Sequence, residues 1–123
     1  SIILDNHNSA AANPSYIEFK KDKGAAGAAG DDIGEIRFTS DDSGQTQTTF
    51  GRILGEVEVA TDGQEGGKIS LNVASHDAEL QPGLIIKDGD AEDEVDVIIG
   101  NGSASLTTIS GDLSVTTGLI LDR

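Results

Sequence analysis

The chain has 123 residues and a net charge of −14, and it contains no cysteine, methionine or tryptophan. Eight basic residues against 22 acidic ones exclude the basic surface that nucleic-acid binding requires, and the missing cysteines exclude disulfides, zinc–thiolate sites and thiol catalysis. Aromatic residues make up only 3% of the chain, so a single copy has few large side chains for a core, and sharing apolar faces between subunits is the simplest remedy.

Alternation of polar and apolar residues predicts short strands along most of the chain. Sixteen glycines interrupt almost every window that a helix would need, and glycine costs a helix interior about 1 kcal/mol relative to alanine. Turn sequences such as DDSG, TDGQEGG, KDGD and GNGS separate the strands. In chain order the predicted strands are YIEFK (16–20), IGEIRFTS (33–40), GEVEV (55–59), KISLNVAS (68–75), EVDVII (94–99), SLTTIS (105–110) and DLSVTT (112–117).

The strand spacing suits a sandwich, a barrel or a β-solenoid, and two features favour the last. IGEI at 33–36 returns as LGEV at 54–57, which indicates internal repetition. A narrow stack of Ile, Leu and Val layers also needs no large aromatic residues. We therefore expect an all-β fold of short strands in an elongated, homotrimeric segment that resembles a β-helix or β-solenoid.

Three similar hexapeptides mark a second level of repetition. SIILDN (1–6) returns as GLIIKD (83–88) and as GLILDR (118–123). Residue 118 lies 117 positions after residue 1 (118 − 1), so the chain reads as one repeat unit plus the start of the next. We accordingly predict a first β module at 1–82, a second short one at 83–117, and the first strand of a following repeat at 118–123. Coincidence would also explain the three similar hexapeptides, as would the recurrence of such strands wherever two modules join.

Five motifs of the chain are distinctive: I-E-F-K-K-D (17–22), G-D-x-I-G-E-I-x-F (30–38), I-x-G-E-V (53–57), D-G…G-K-I-S-L (62–71) and GDLSVTTG (111–118). In these motifs the sequence resembles the shaft and distal regions of bacteriophage tail fibre proteins. The resemblance implies a parallel homotrimer with a structural role in an extracellular virion appendage that serves host attachment. The expected partners are other copies of the chain, adjoining fibre segments or other virion proteins, and a host-surface glycan or protein receptor. Tail fibres often end in a self-cleaving chaperone, but no residues here match one.

For the trimer we predict an axis lined by aliphatic side chains of the alternating segments. Burying one such side chain contributes roughly 1.5–3 kcal/mol, so a lone subunit would have to bury nearly all of them to offset the entropy of ordering. No nucleic-acid partner and no membrane insertion are expected. The proposed axial residues are Ile69, Leu71, Val73, Val97, Ile99, Leu113 and Val115.

The densest acidic run is KDGDAEDEVD (87–96), in which Asp88 and Asp90 flank Gly89. Carboxylates at alternate positions begin many calcium loops, but the EF-hand spacing is not met because the glycine falls at the second position. We interpret the run as a solvated hairpin tip and expect no metal or other cofactor.

No group of residues indicates catalysis, and we expect that the protein is not an enzyme. His7 and His76 both lie in polar, turn-like sequence, no serine lies in a nucleophile elbow, and paired carboxylates are too frequent to indicate glycoside hydrolysis. GAAGAAG (24–30) is expected to be a flexible loop, with a close-packed crossing at a three-fold axis as the alternative. Lys20, Lys21 and Lys23 precede it as exposed strand-end lysines, or as a local patch for lipopolysaccharide phosphates.

Two other functions share most of these properties. A receptor- or glycan-binding module at a fibre tip would differ by a loop-rich tip bearing aromatic residues, which this chain lacks. The stalk of a bacterial trimeric surface adhesin would differ only in the sequence that adjoins it.

Overall fold

A computed structural model describes residues 1–121 and contains five strands and no helix in that range. The all-β prediction is confirmed for these residues. No helix that could cross a bilayer occurs among them. The strands are β1 (Asp32–Asp41), β2 (Gln47–Val59), β3 (Gly66–Ser75), β4 (Glu79–Asp88) and β5 (Val95–Ile99).

The five strands form one open antiparallel sheet in the order β1-β2-β3-β4-β5, so each strand pairs with its neighbours in sequence. Three of the predicted strands, 33–40, 68–75 and 94–99, match β1, β3 and β5 to within two residues at each end. The prediction at 55–59 covers only the second half of β2. Its first half was missed because QTQTTFG contains few alternating apolar residues.

Tight turns connect the strands at the sequences that predicted them. Gly63 in the β2–β3 turn adopts a positive φ of 78°, which glycine tolerates without a steric penalty. Gln45, His76 and Asp93 take left-handed conformations in the other three turns, with φ between 48° and 65°. In the β1–β2 turn, the Asp42 carboxylate accepts hydrogen bonds from the backbone N–H groups of Gly44 and Thr46 at 2.7 and 2.9 Å.

Three predicted strands are not strands in the structure. Residues 16–20, 105–110 and 112–117 are extended or irregular and are exposed. A strand requires hydrogen bonds to a neighbouring strand, and within the described chain these segments pair with none. The alternation of their residues was therefore not enough to place them in the sheet.

The module prediction remains a prediction. β4 (Glu79–Asp88) runs through the expected boundary between 1–82 and 83–117 and pairs with both β3 and β5. The last two residues of the expected repeat strand, Asp122 and Arg123, lie outside the described range.

Candidate interaction surface

On one face of the sheet polar side chains are buried, and on the other face aliphatic side chains are exposed. Successive residues of β3 point to opposite sides, so Ser70 and Asn72 share one face and Leu71 lies on the other. Ser70 and Asn72 are 4% and 6% exposed, whereas Leu71 is 42% exposed. The Asn72 amide donates a hydrogen bond to the Ser70 hydroxyl at 2.8 Å, which satisfies both groups locally. In the single chain these polar side chains, and Leu54 on the same face, are thus covered while Leu71 is left open.

The exposed aliphatic side chains form a continuous surface, here called the apolar face, because the strand register aligns them. One row of five branched residues crosses every strand, each directly opposite the next. A second row beside it begins with two glycines and continues with aliphatic residues. The first row is Ile36, Ile53, Leu71, Leu84 and Ile99; the second is Gly34, Gly55, Ile69, Ile86 and Val97.

Two phenylalanines lie over glycines on the apolar face. A Cβ atom added to Gly34 would lie 2.5 Å from the Cβ of Phe19. The segment that precedes β1 (16–31), here called the arm, therefore crosses the face at this glycine. A Cβ added to Gly51 would lie 3.5 Å from the Phe38 ring. The missing side chains of these glycines make room for both aromatic rings on an otherwise flat part of β1 and β2.

A shallow apolar groove of about 560 Å³ runs across the apolar face between the arm and the β2–β3 turn. Six charged residues also line it, namely Glu35, Glu56, Glu65, Lys68, Lys87 and Asp88. The surface of the groove is nonetheless mostly apolar and therefore suits apolar side chains. The apolar lining is Phe19, Ile33, Ile36, Ile53, Ile69, Ile86 and Val95.

The opposite side, here called the polar face, carries all four basic residues of the strands in ion pairs with glutamates. Lys68 Nζ lies 3.1 Å from Glu56 and 3.8 Å from Glu58, and Lys87 Nζ lies 3.4 Å from Glu58. Arg37 and Arg52 both pair with Glu35, the latter at 3.7 Å. Each basic residue of the strands thus has an acidic partner, so this face is close to neutral despite the charge of the chain.

Hydrogen bonds to carboxylates shift several pKa values. The hydrogen bond from Arg37, helped by Arg52, lowers the pKa of Glu35, and the same bond to Glu35 raises the pKa of Arg37. The Lys23 ammonium and the Ala28 backbone N–H lower the pKa of Asp31. These bonds hold the start of β1 and the preceding arm in place.

Five of the seven predicted axial residues are brought together. Ile69, Leu71 and Val73 from β3 and Val97 and Ile99 from β5 all lie on the apolar face. Leu113 and Val115 lie in the irregular segment after β5 and do not join them. The sequence reasoning did not select the β1, β2 and β4 members Ile36, Ile53, Leu84 and Ile86. Their alternation was visible, but only the register shows that they continue the same rows.

The acidic run is organised as a self-capped turn. The Glu94 carboxylate accepts hydrogen bonds from the backbone N–H groups of Asp90 and Ala91 at 2.9 and 3.0 Å. Within residues 1–121 no three His, Asp or Glu side chains are grouped so that they could hold a metal ion. The lack of a metal site stays a prediction.

The remaining candidate residues are spread over the surface. His7 lies 2.8 Å from the Asp5 carboxylate in the exposed N-terminal segment, and His76 lies in the β3–β4 turn, far along the chain from it. The GAAGAAG segment (24–30) is a loop without regular secondary structure. Lys23 is bound to Asp31 at 2.7 Å, while Lys20 and Lys21 are exposed.

No protein-family model, curated protein or solved structure matches the chain.

Proposed function

We propose that the chain is a structural segment of a bacteriophage tail fibre, part of an elongated, β-helix-like homotrimer in the virion that serves host attachment. The observation that supports it best is the uncovered apolar face. One row of five branched residues crosses all five strands, and three more aliphatic residues lie beside it in β3 to β5. Such an exposed apolar patch marks an interaction site. Other copies of the chain are the simplest cover.

The surface area of the chain supports the same proposal. Its accessible surface is 10287 Å². A compact monomer of 12.6 kDa would expose about 6,200 Å². Part of the excess comes from the extended segments at both ends and part from the single-layer sheet. Both would lose exposed area if three chains packed together.

The distribution of charge fits an arrangement with the apolar faces inward. Three sheets whose apolar faces meet at a common axis would bury the central rows and leave the ion-paired polar faces outside. The inner surface would then contain few charges to desolvate, which is the condition for favourable burial. The resemblance of the sequence to tail fibre shafts supports the proposal that this assembly belongs to a virion.

Light scattering coupled to size exclusion tests the oligomeric part of the proposal. We expect a mass close to three times the 12.6 kDa of the chain at micromolar concentration. A folded, stable monomer would contradict the proposal.

Immunogold electron microscopy tests the biological part. Antibodies against the chain should label the tail fibres of the virions that carry it. Labelling of bacterial envelopes in the absence of virions would instead support the surface-adhesin alternative, and labelling confined to the fibre tip would support the receptor-binding one.

A further inference from the structure

β5 ends the sheet and has one free edge. It contains five residues, all exposed, and pairs only with β4 among the described residues. Val95, Val97 and Ile99 lie on the apolar face, whereas Asp96 and Ile98 lie on the polar face. Such an edge presents alternate backbone N–H and C=O groups that another strand can bind.

The segment YIEFK (16–20) has the composition of a strand but no strand partner. Ile17 and Phe19 alternate with Glu18 and Lys20, so in an extended conformation one side is apolar and the other charged. Ile17 is well exposed, and Phe19 remains 49% exposed although it contacts Gly34. The segment therefore gains little from its own chain.

We propose that residues 16–20 of one copy add to the free edge of β5 in a second copy as an antiparallel sixth strand. The alternation restricts the register, because Ile17 and Phe19 must lie on the apolar face. A register that places Lys20 opposite Asp96 also places Phe19 opposite Val97 and Ile17 opposite Ile99. Opposite charges and apolar pairs then coincide, which is the pattern that stabilises cross-strand neighbours.

The flanking residues lie beside the acidic turn that precedes β5. In the same register Lys23 comes opposite Asp93, and Asp22 comes opposite Glu94, a like-charge pair that lies outside the five paired residues of β5. Shifting the arm by one residue would turn Phe19 to the polar face. In a parallel orientation, placing Phe19 opposite Val97 would bring Glu18 opposite Asp96. The antiparallel pairing with Lys20 opposite Asp96 avoids both conflicts.

The arm cannot make this pairing within its own chain while its base is bound as observed. Lys23 is tied to Asp31 at 2.7 Å, and the Gly30 N–H donates to the Val57 carbonyl at 2.7 Å, both beside the start of β1. Lys20 is three residues from Lys23, so the Cα atom of Lys20 can lie at most about 10 Å from that of Lys23. β5 is four strand spacings from β1, or about 19 Å. The partner edge therefore belongs to another copy.

This inference rests on the self-association in the proposed function and deepens it by assigning one contact. If each of three copies donates its arm to the next copy, the free edge of β5 is occupied in every copy and the three copies form a closed ring. Such an exchange would give the trimer backbone hydrogen bonds between subunits in addition to buried aliphatic side chains.

Engineered cysteines test the contact, since the described chain has no cysteine of its own. Lys20→Cys and Asp96→Cys are made as two separate full-length variants, unfolded, mixed, refolded together and oxidised. Directly opposite residues in a sheet lie within disulfide range. We expect a disulfide-linked dimer whose intact mass is the sum of the two different variants. The matched control is Lys20→Cys mixed with Thr39→Cys, which lies on the opposite edge strand β1. This mixture should give several-fold less of the mixed disulfide-linked dimer.

Each result decides the proposal. Equal cross-linking to Thr39→Cys, or none to Asp96→Cys in a protein that light scattering shows to be oligomeric, overturns the strand addition and leaves the proposed trimer standing. A monomeric protein overturns both. Gly34→Ala in the Lys20→Cys variant gives a second test: it removes the space that Phe19 occupies on its own chain, so the yield of the mixed dimer should rise.

Discussion

Leu71 and Asn72 are neighbours in β3 and point to opposite faces of the sheet, yet Asn72 is 6% exposed and Leu71 is 42% exposed. Arg52, which is ion-paired with Glu35, lies directly opposite Asn72 in β2. Leu71 lies at the centre of a five-residue aliphatic row in which Ile36, Leu71 and Ile99 remain exposed. Leu54 is the one buried hydrophobic residue of the described chain, and it lies on the other face, so the side of Leu71 gains an interior only when something packs on it.

The first prediction compares two adjacent residues of β5. Val97→Asp places a carboxylate on the apolar face and should weaken self-association at least about 10-fold, because a buried unpaired charge costs more than 1.4 kcal/mol. Ile98→Asp adds the same charge to a similarly exposed aliphatic residue on the polar face and should weaken association much less, by no more than the like-charge pair with Glu18 that the proposed strand addition would create. Analytical ultracentrifugation measures both. Equal effects would show that the apolar face is not the interface. Leu71→Asp should act like Val97→Asp.

The second prediction concerns the contact between Phe19 and Gly34. Gly34→Ala puts a methyl group where Phe19 packs. In a solution dilute enough to keep the chain monomeric, where residues 16–20 have no second copy to pair with, the arm should therefore detach and trypsin should cleave faster after Lys20, Lys21 and Lys23. Gly67→Ala is the control, because a Cβ atom there meets no atom within 4 Å. Cleavage rates followed by mass spectrometry give the comparison. An unchanged rate for Gly34→Ala would mean that Phe19 does not hold the arm.

The third prediction separates turn capping from metal binding in the acidic run. Glu94→Ala removes a carboxylate that accepts two backbone N–H bonds and should lower the free energy of unfolding by about 1 kcal/mol. Glu92→Ala, two residues away in the same turn region, should change it by less than about 0.5 kcal/mol. Denaturant unfolding provides the values. Calcium should leave the melting temperature unchanged; a calcium-dependent rise that Asp88→Ala or Asp90→Ala abolishes would contradict the absence of a site.

The fourth prediction is a loss of stability in acid. The pKa values of Asp31, Glu35 and Glu65 are lowered in the folded chain, the last by the Gly63 backbone N–H. Groups with lowered pKa values contribute stability that is fully present above their unfolded pKa values near 4 and is lost as the pH falls through the folded ones. Thermal melting between pH 6 and 2 should show this decline. Asp31→Asn should make the decline shallower, and an identical pH profile would contradict the assigned role of Asp31.

The fifth prediction concerns ionic strength. Each copy carries a net charge of −14, whereas the apolar faces that would meet carry few charges. Long-range repulsion between copies is screened by salt, since the Debye length falls from about 30 Å at 0.01 M to about 3 Å at 1 M. Association should therefore strengthen as salt is raised. Sedimentation across that range tests it, and weaker association at high salt would point to an interface dominated by ion pairs.

Local sequence determined the secondary structure class and the position of most turns. Glycine spacing excluded helices, and alternation located β1, β3 and β5, because a strand with one apolar side shows that period directly. The same reasoning placed Ile69, Leu71 and Val73 on one face. It also placed strands at 16–20, 105–110 and 112–117, where the structure has none. Alternation describes a segment that can pair, and it carries no information about whether a partner is available.

What only the tertiary structure decided is how the strands are aligned. Register depends on turn lengths and bulges, such as the shift between Phe38 and Thr39 in β1, which no local pattern specifies. That register places Ile36, Ile53, Leu84 and Ile86 in the same rows as the residues of β3, and it places each lysine and arginine of the sheet beside a glutamate. The composition of the chain determined that a single copy would lack a substantial core. The alignment of its strands decided that the uncovered aliphatic residues form one continuous face, because a shift of one residue would have turned a whole strand to the other side.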